Sequence, residues 1–99
     1  MPRFLFRFGF QPPELFGSEL EDSHCVWVEA PSEEAALAWG REIADAFVRE
    51  RWPGLPSWKE SNFAAWIESE DQTVLDWANR HPVPACRVGD FPDWQQNPG

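Results

Sequence analysis

Residues 3–10 read Arg3-Phe4-Leu5-Phe6-Arg7-Phe8-Gly9-Phe10, an alternation without a slip. In an extended chain successive side chains point to opposite faces, so Phe4, Phe6, Phe8 and Phe10 share one face and Arg3, Leu5, Arg7 and Gly9 the other. This pattern predicts a half-buried strand. Pro12 and Pro13 stop it, because proline has no backbone donor for a sheet ladder. The opening stretch is apolar, but Arg7 interrupts it and no small-residue cleavage site follows, so it does not read as a signal peptide.

Residues 11–23 mix Pro, Gly and Ser with four acids, Glu14, Glu19, Glu21 and Asp22, and are expected to form a long acidic loop with one helical turn near Glu14–Phe16. Residues 24–30 are β-branched and aromatic, which predicts a second strand with Val26 and Val28 inward and Trp27 on the opposite face. Ser32 is a good helix N-cap, and Glu33 and Glu34 complement the positive end of the helix dipole. The helix it opens is expected to run to about Arg51, with Ala36, Leu37, Gly40, Ile43, Ala44, Phe47 and Val48 inward. On its wet side Arg41–Asp45 and Asp45–Arg49 stand at i,i+4 spacing. Gly40 costs about 1 kcal/mol relative to Ala inside a helix, so a backbone or a large ring is expected to approach closely there.

Residues 62–68 fit either helix or strand and are read as a strand, because Ser69-Glu70-Asp71-Gln72 has the composition of a capping box that starts a new helix. That helix carries Val74, Leu75, Trp77 and Ala78 and ends before Pro82, which disfavours a helical conformation at His81. Val83–Val88 reads as a short last strand and residues 90–99 as a tail that folds back on the sheet. The expected fold class is α+β: a single domain over residues 1–99, built as a two-layer sandwich with a four-stranded mixed sheet and two helices on one face. The order along the chain is β-β-α-β-α-β. The handedness of crossover connections requires strands two, three and four to run parallel if all lie in one sheet.

The 99 residues carry Asp+Glu 17 against Lys+Arg 8, a formal net charge of -9, together with seven Trp, eight Phe and no Tyr. So much aromatic mass argues against a disordered chain, and the charge disfavours phosphate backbones and anionic membranes. No stretch approaches the ~20 apolar residues of a spanning helix, so a cytoplasmic location is expected. Two cysteines are too few for a disulfide scaffold, which leaves Cys25 and Cys86 as reduced, small hydrophobes.

Chemistry-bearing constellations are sparse. His24, Cys25, His81 and Cys86 form a weak metal candidate without CxxC-type spacing, and adjacent strand residues His24 and Cys25 point to opposite faces. A histidine-activated cysteine would sit in a negative environment, which opposes a thiolate. No nucleotide-binding or hydrolase signature is present, so no cofactor is expected and no catalytic residues are assigned.

The remaining signals are acids and tryptophans. Glu19, Glu21 and Asp22 lie in the loop, and Glu68, Glu70 and Asp71 lie at the second helix start. Trp27, Trp39, Trp66 and Trp77 fall inside elements and read as core or its edge, whereas Trp52, Trp58 and Trp94 fall in loops or tail. The expectation is an acidic, non-enzymatic protein-binding module of the inhibitor or immunity type, masking a basic partner through those six acids with Trp58 and Trp94 as anchors. A DNA mimic is a variant of the same idea. The alternatives are a small enzyme or ligand-binding domain with a carboxylate-lined pocket, and a homo-oligomer joined through an open sheet face.

Overall fold

A computed structural model describes residues 1–16 and 18–94. Strands β1 (Arg3–Phe10), β2 (Asp22–Glu29), β3 (Ala65–Glu68) and β4 (Ala85–Arg87) form one mixed sheet in the order β3-β1-β2-β4. β1 pairs antiparallel with β2 and β3, and β2 pairs parallel with β4, so the second, third and fourth strands all point the same way. Helix α1 (Glu33–Arg51) follows β2, and helix α2 (Gln72–Arg80) follows β3. The α+β class and the element order hold; of the strand expected over residues 62–68 Ala65–Glu68 forms, that expected over 83–88 shortens to Ala85–Arg87, and β2 starts at Asp22, inside the expected loop.

The placement of the helices differs from the expected single face. Phe6, Phe8, Phe10, Val26 and Val28 pack with Ile43, Ala44 and Phe47 of α1. On the other face Leu5 and Trp27 pack with Val74, Leu75 and Ala78 of α2. The reason is topological. The connection from β2 to β3 crosses the sheet past β1, and the connection from β3 to β4 travels back the other way. Two crossovers of one hand that run in opposite directions between parallel strands must use opposite faces. The face expected to stand open is therefore covered by α2 over Leu5 and Trp27.

Local signals hold the elements as the residues dictate. The Ala35 N–H donates to Ser32 Oγ at 3.1 Å, capping α1. Gly40 admits the Phe6 ring, since a Cβ there would stand 2.2 Å from Phe6 Cδ1. Asp45 pairs with Arg49 at 3.0 Å, while Arg41 instead lies over the Trp58 ring at 5.2 Å. α2 begins two residues later than the capping box implied, with the Val74 N–H donating to Asp71 Oδ1 at 3.2 Å.

The tail also departs from expectation. Phe91 lies 5.2 Å from Trp39, and the Trp94 ring lies 4.7 Å from Phe47, so residues 90–94 fold against α1 and its core. Trp39 Nε1 fastens this path by donating to the Asp90 carbonyl at 2.7 Å. Residues 95–99 of the expected tail lie outside the described residues.

Candidate functional site

The loop between β1 and β2 leaves the sheet at Phe10 through a single 3₁₀ turn, Pro13–Leu15. Gln11 pins it from inside: its Nε2 donates to the carbonyls of Ser18 (3.1 Å) and Leu20 (3.0 Å). Ser18 Oγ donates to the Leu15 carbonyl at 2.6 Å and accepts from the Leu20 N–H at 3.2 Å. These bonds shape the loop so that Glu14, Glu19, Glu21 and Asp22 are exposed. Between them stand Phe16 and Leu20, 51% and 65% exposed. Apolar side chains framed by carboxylates were not singled out in the sequence. The signal was an aromatic and a leucine at positions in an acidic loop that no strand or helix period includes.

The second acidic group is used differently. Glu68 Oε1 accepts from Arg7 Nη1 at 2.6 Å and from Trp66 Nε1 at 3.3 Å. Its Oε2 accepts from the N–H groups of Asp71 (3.2 Å) and Glu70 (3.4 Å). Asp71 is the α2 cap, which leaves Glu70 exposed without a structural role of that kind. Glu68 and Asp71 thus organise the turn into α2, toward the opposite end of β1 from the acidic loop.

The tryptophans depart from the expected division in part: Trp27 is buried and Trp39 half-buried, as read, and the loop residue Trp52 is half-buried against the core. Trp58 is only 2% exposed and donates from Nε1 to the Gly9 carbonyl at 2.8 Å, so it is a core residue rather than an exposed anchor. Trp94 is partly buried between His24 and Phe47. The exposed indoles are Trp66 (37%) and Trp77 (44%), both inside regular elements. Trp66 stands on the edge strand β3 and Trp77 on α2 itself, so a side chain within an element can still meet solvent.

Of the four metal candidates only His24 and His81 come to one place, the lining of the cleft between the acidic loop and the helix ends, and the cysteines lie elsewhere. The register sets His24 beside Phe8 on the α1 face and Cys25 beside Arg7 on the α2 face, while Cys86 aligns with Val28 and His81 stacks on Trp77 at 4.7 Å. Among the described residues no group of three or more His, Cys, Asp or Glu is placed to hold a metal ion. Burial pushes the Cys25 thiol up despite the nearby Arg7, and burial with the Asp90 charge pushes Cys86 up to about 11. Neither is an activated nucleophile, because the thiolate is the reactive form.

A cleft of about 600 Å³ opens between the acidic loop, the end of α1 and the end of α2. Its walls include Phe10, Trp52 and Trp77, with Glu14, Asp22 and Arg51 as charged groups and His24 at its side. Burial, then the Arg51 charge, lowers the His24 pKa, and Asp22 partly opposes this. A larger groove of about 790 Å³ beside β4 is lined by Arg3, Asp90, Arg87 and Glu29, and in it Glu29 pairs with Arg87 at 3.2 Å and with the N-terminal amine at 3.8 Å.

Each of the chain's cations has a neighbour within the chain, although all but Arg7 are exposed. Arg7, Arg49, Lys59 and Arg87 pair with Glu68, Asp45, Glu42 and Glu29. Arg3, Arg41 and Arg51 lie over the rings of Trp27, Trp58 and Phe47, and Arg80 donates to the Asp76 carbonyl. No helix among the described residues is long and apolar enough to cross a membrane. No family model matches the chain, and neither does any curated protein or solved structure.

Proposed function

We propose that the protein is an acidic binding module that masks a basic partner protein, with the β1–β2 loop as its principal contact. The observation that carries this reading is the division of charge. All eight Lys and Arg side chains have a carboxylate, ring or carbonyl of the chain itself as a neighbour, although all but Arg7 stay exposed, while Glu14, Glu19, Glu21 and Asp22 face solvent around Phe16 and Leu20 with no cation paired to them among the described residues. Complementary charge steers encounter and suppresses wrong partners, and apolar side chains at the centre of a polar rim supply the affinity. Of the acids singled out in the sequence, Glu19, Glu21 and Asp22 belong to this surface, and Glu70 stands apart from it.

The test is capture of partners from the native cell by the immobilised full chain, identification of what binds, and kinetics of the purified pair. A basic partner is expected, with an association rate that falls roughly 10- to 1,000-fold as salt screens the steering field. Replacing Glu19 and Glu21 by Gln and Asp22 by Asn should slow association, while Phe16→Ala with Leu20→Ala should speed dissociation. Capture of acidic partners alone, or an association rate indifferent to salt, overturns the reading.

A further inference from the structure

We infer that the cleft between the acidic loop and the ends of the two helices receives an arginine side chain of that basic partner, its guanidinium stacking on Trp77 or Trp52 and donating to Asp22 and Glu14. This rests on the reading above and names the partner group it would recognise. The chain itself shows the arrangement once already. Arg7 is held with its guanidinium 4.9 Å from the Trp66 ring centre while it donates to Glu68 at 2.6 Å. The cleft contains the same components: two indoles in its lining, Trp52 and the 44% exposed Trp77, which keeps one face free of the His81 ring stacked on the other, and two carboxylates, Glu14 from the 3₁₀ turn and Asp22 at the start of β2. A planar guanidinium suits both surfaces, because it stacks on aromatic faces and donates in a fork to carboxylates.

Arg51 also lines the cleft, and its position decides what sign of ligand the cleft takes. Its guanidinium lies over the Phe47 ring at 4.4 Å, so this one arginine stands against two carboxylates, with the rings of His24 and His81 also in the lining. The balance is negative and selects a cation. An anionic ligand would instead depend on Arg51, which gives the two possibilities opposite responses to one substitution.

The experiment uses the ¹⁵N-labelled full chain and follows the indole N–H signals of its seven tryptophans, with Trp52 and Trp77 assigned through their Phe variants. The probes are N-acetyl-arginine methylamide and benzoate. The arginine derivative is expected to shift the Trp77 and Trp52 signals saturably and leave the buried Trp58 signal in place. Glu14→Gln with Asp22→Asn should weaken this binding, and Arg51→Gln should strengthen it, each by roughly threefold, the scale of a partly exposed ion pair. Unchanged signals from the other indoles report that each variant keeps its fold. Absence of a saturable shift, shifts with benzoate only, or weaker arginine binding in Arg51→Gln overturns the inference. If the arginine probe fails while salt-steered capture succeeds, the partner reading stands without this cleft; the reverse outcome keeps the cleft and removes the partner reading.

Discussion

Arg7 Nη1 lies 2.6 Å from Glu68 Oε1, across 61 residues of chain, and this contact ties β1 to β3 and to the turn that starts α2. The Arg7 hydrogen bond, helped by the Asp71 N–H, holds the Glu68 carboxyl at about 2, below its ordinary 4.5. A carboxylate whose pKa is lower in the folded than in the unfolded chain stabilises the fold above the unfolded value and loses that contribution as pH falls through the folded one. The loss should therefore span roughly pH 5 to 2. Glu68→Gln is expected to lower the melting temperature at pH 7 and to match the parent protein near pH 2; an equal difference at both pH values would count against it.

His24 should titrate below 6.5, because burial and the Arg51 charge both disfavour its protonated form. On lowering pH the unfolded chain takes the proton first, so stability falls from about pH 6.5 down to the lowered folded value. Imidazole NMR signals across pH 4 to 8 measure it directly. Arg51→Gln should move the midpoint upward, and a midpoint at or above 6.5 in the parent chain rejects the assignment.

Gly40→Ala is expected to destabilise the protein, contrary to the ordinary effect of that change in a helix. The added methyl gains about 1 kcal/mol in helix propensity. It would also stand 2.2 Å from Phe6 Cδ1, and overpacking a buried ring costs about 1–3 kcal/mol. Removing the ring at its Cβ removes the clash, so Phe6→Ala combined with Gly40→Ala should cost less than the sum of the two single changes in urea unfolding. Strict additivity would show that the contact does not matter.

Trp58→Phe keeps an aromatic ring but removes the donor to the Gly9 carbonyl. Loss of that hydrogen bond and the smaller ring together should cost about 1–3 kcal/mol. Partner capture should be unchanged once the variant is folded, since the indole is buried. A selective loss of binding with full stability would return Trp58 to the contact surface.

Both thiols should alkylate slowly in the native protein. With a pKa of about 11, Cys86 is thiolate to roughly one part in a thousand at pH 8. Burial raises Cys25 as well. Iodoacetamide followed by mass measurement should show slow labelling at pH 8 and rapid labelling in denaturant; native labelling as fast as an unfolded thiol would contradict this.

The residues along the chain were enough to specify its elements. The unbroken Phe alternation of 3–10, Ser32 before Glu33 and Glu34, and Gly40 against an expected ring are signals carried by neighbours in sequence, and each appears as read. The parallel sense of the last three strands also followed, because a helix between two strands of one sheet carries the chain back before the next strand starts, whatever the strand order. What required the tertiary structure was every question of which surface meets which. The two helices take opposite faces because the chain crosses the sheet and then returns. Trp58 is inside because a loop delivers its N–H to Gly9, and Trp66 is outside because its strand takes an edge of the sheet. The same holds for the acids: Glu68 and Glu19 are alike in sequence, and only Arg7, brought from 61 residues away, makes one a structural tie while the other remains on the surface. Local periodicity reports how a segment is folded, but burial depends on segments far apart in the chain, and the position of a charge relative to its partner is set only when they meet.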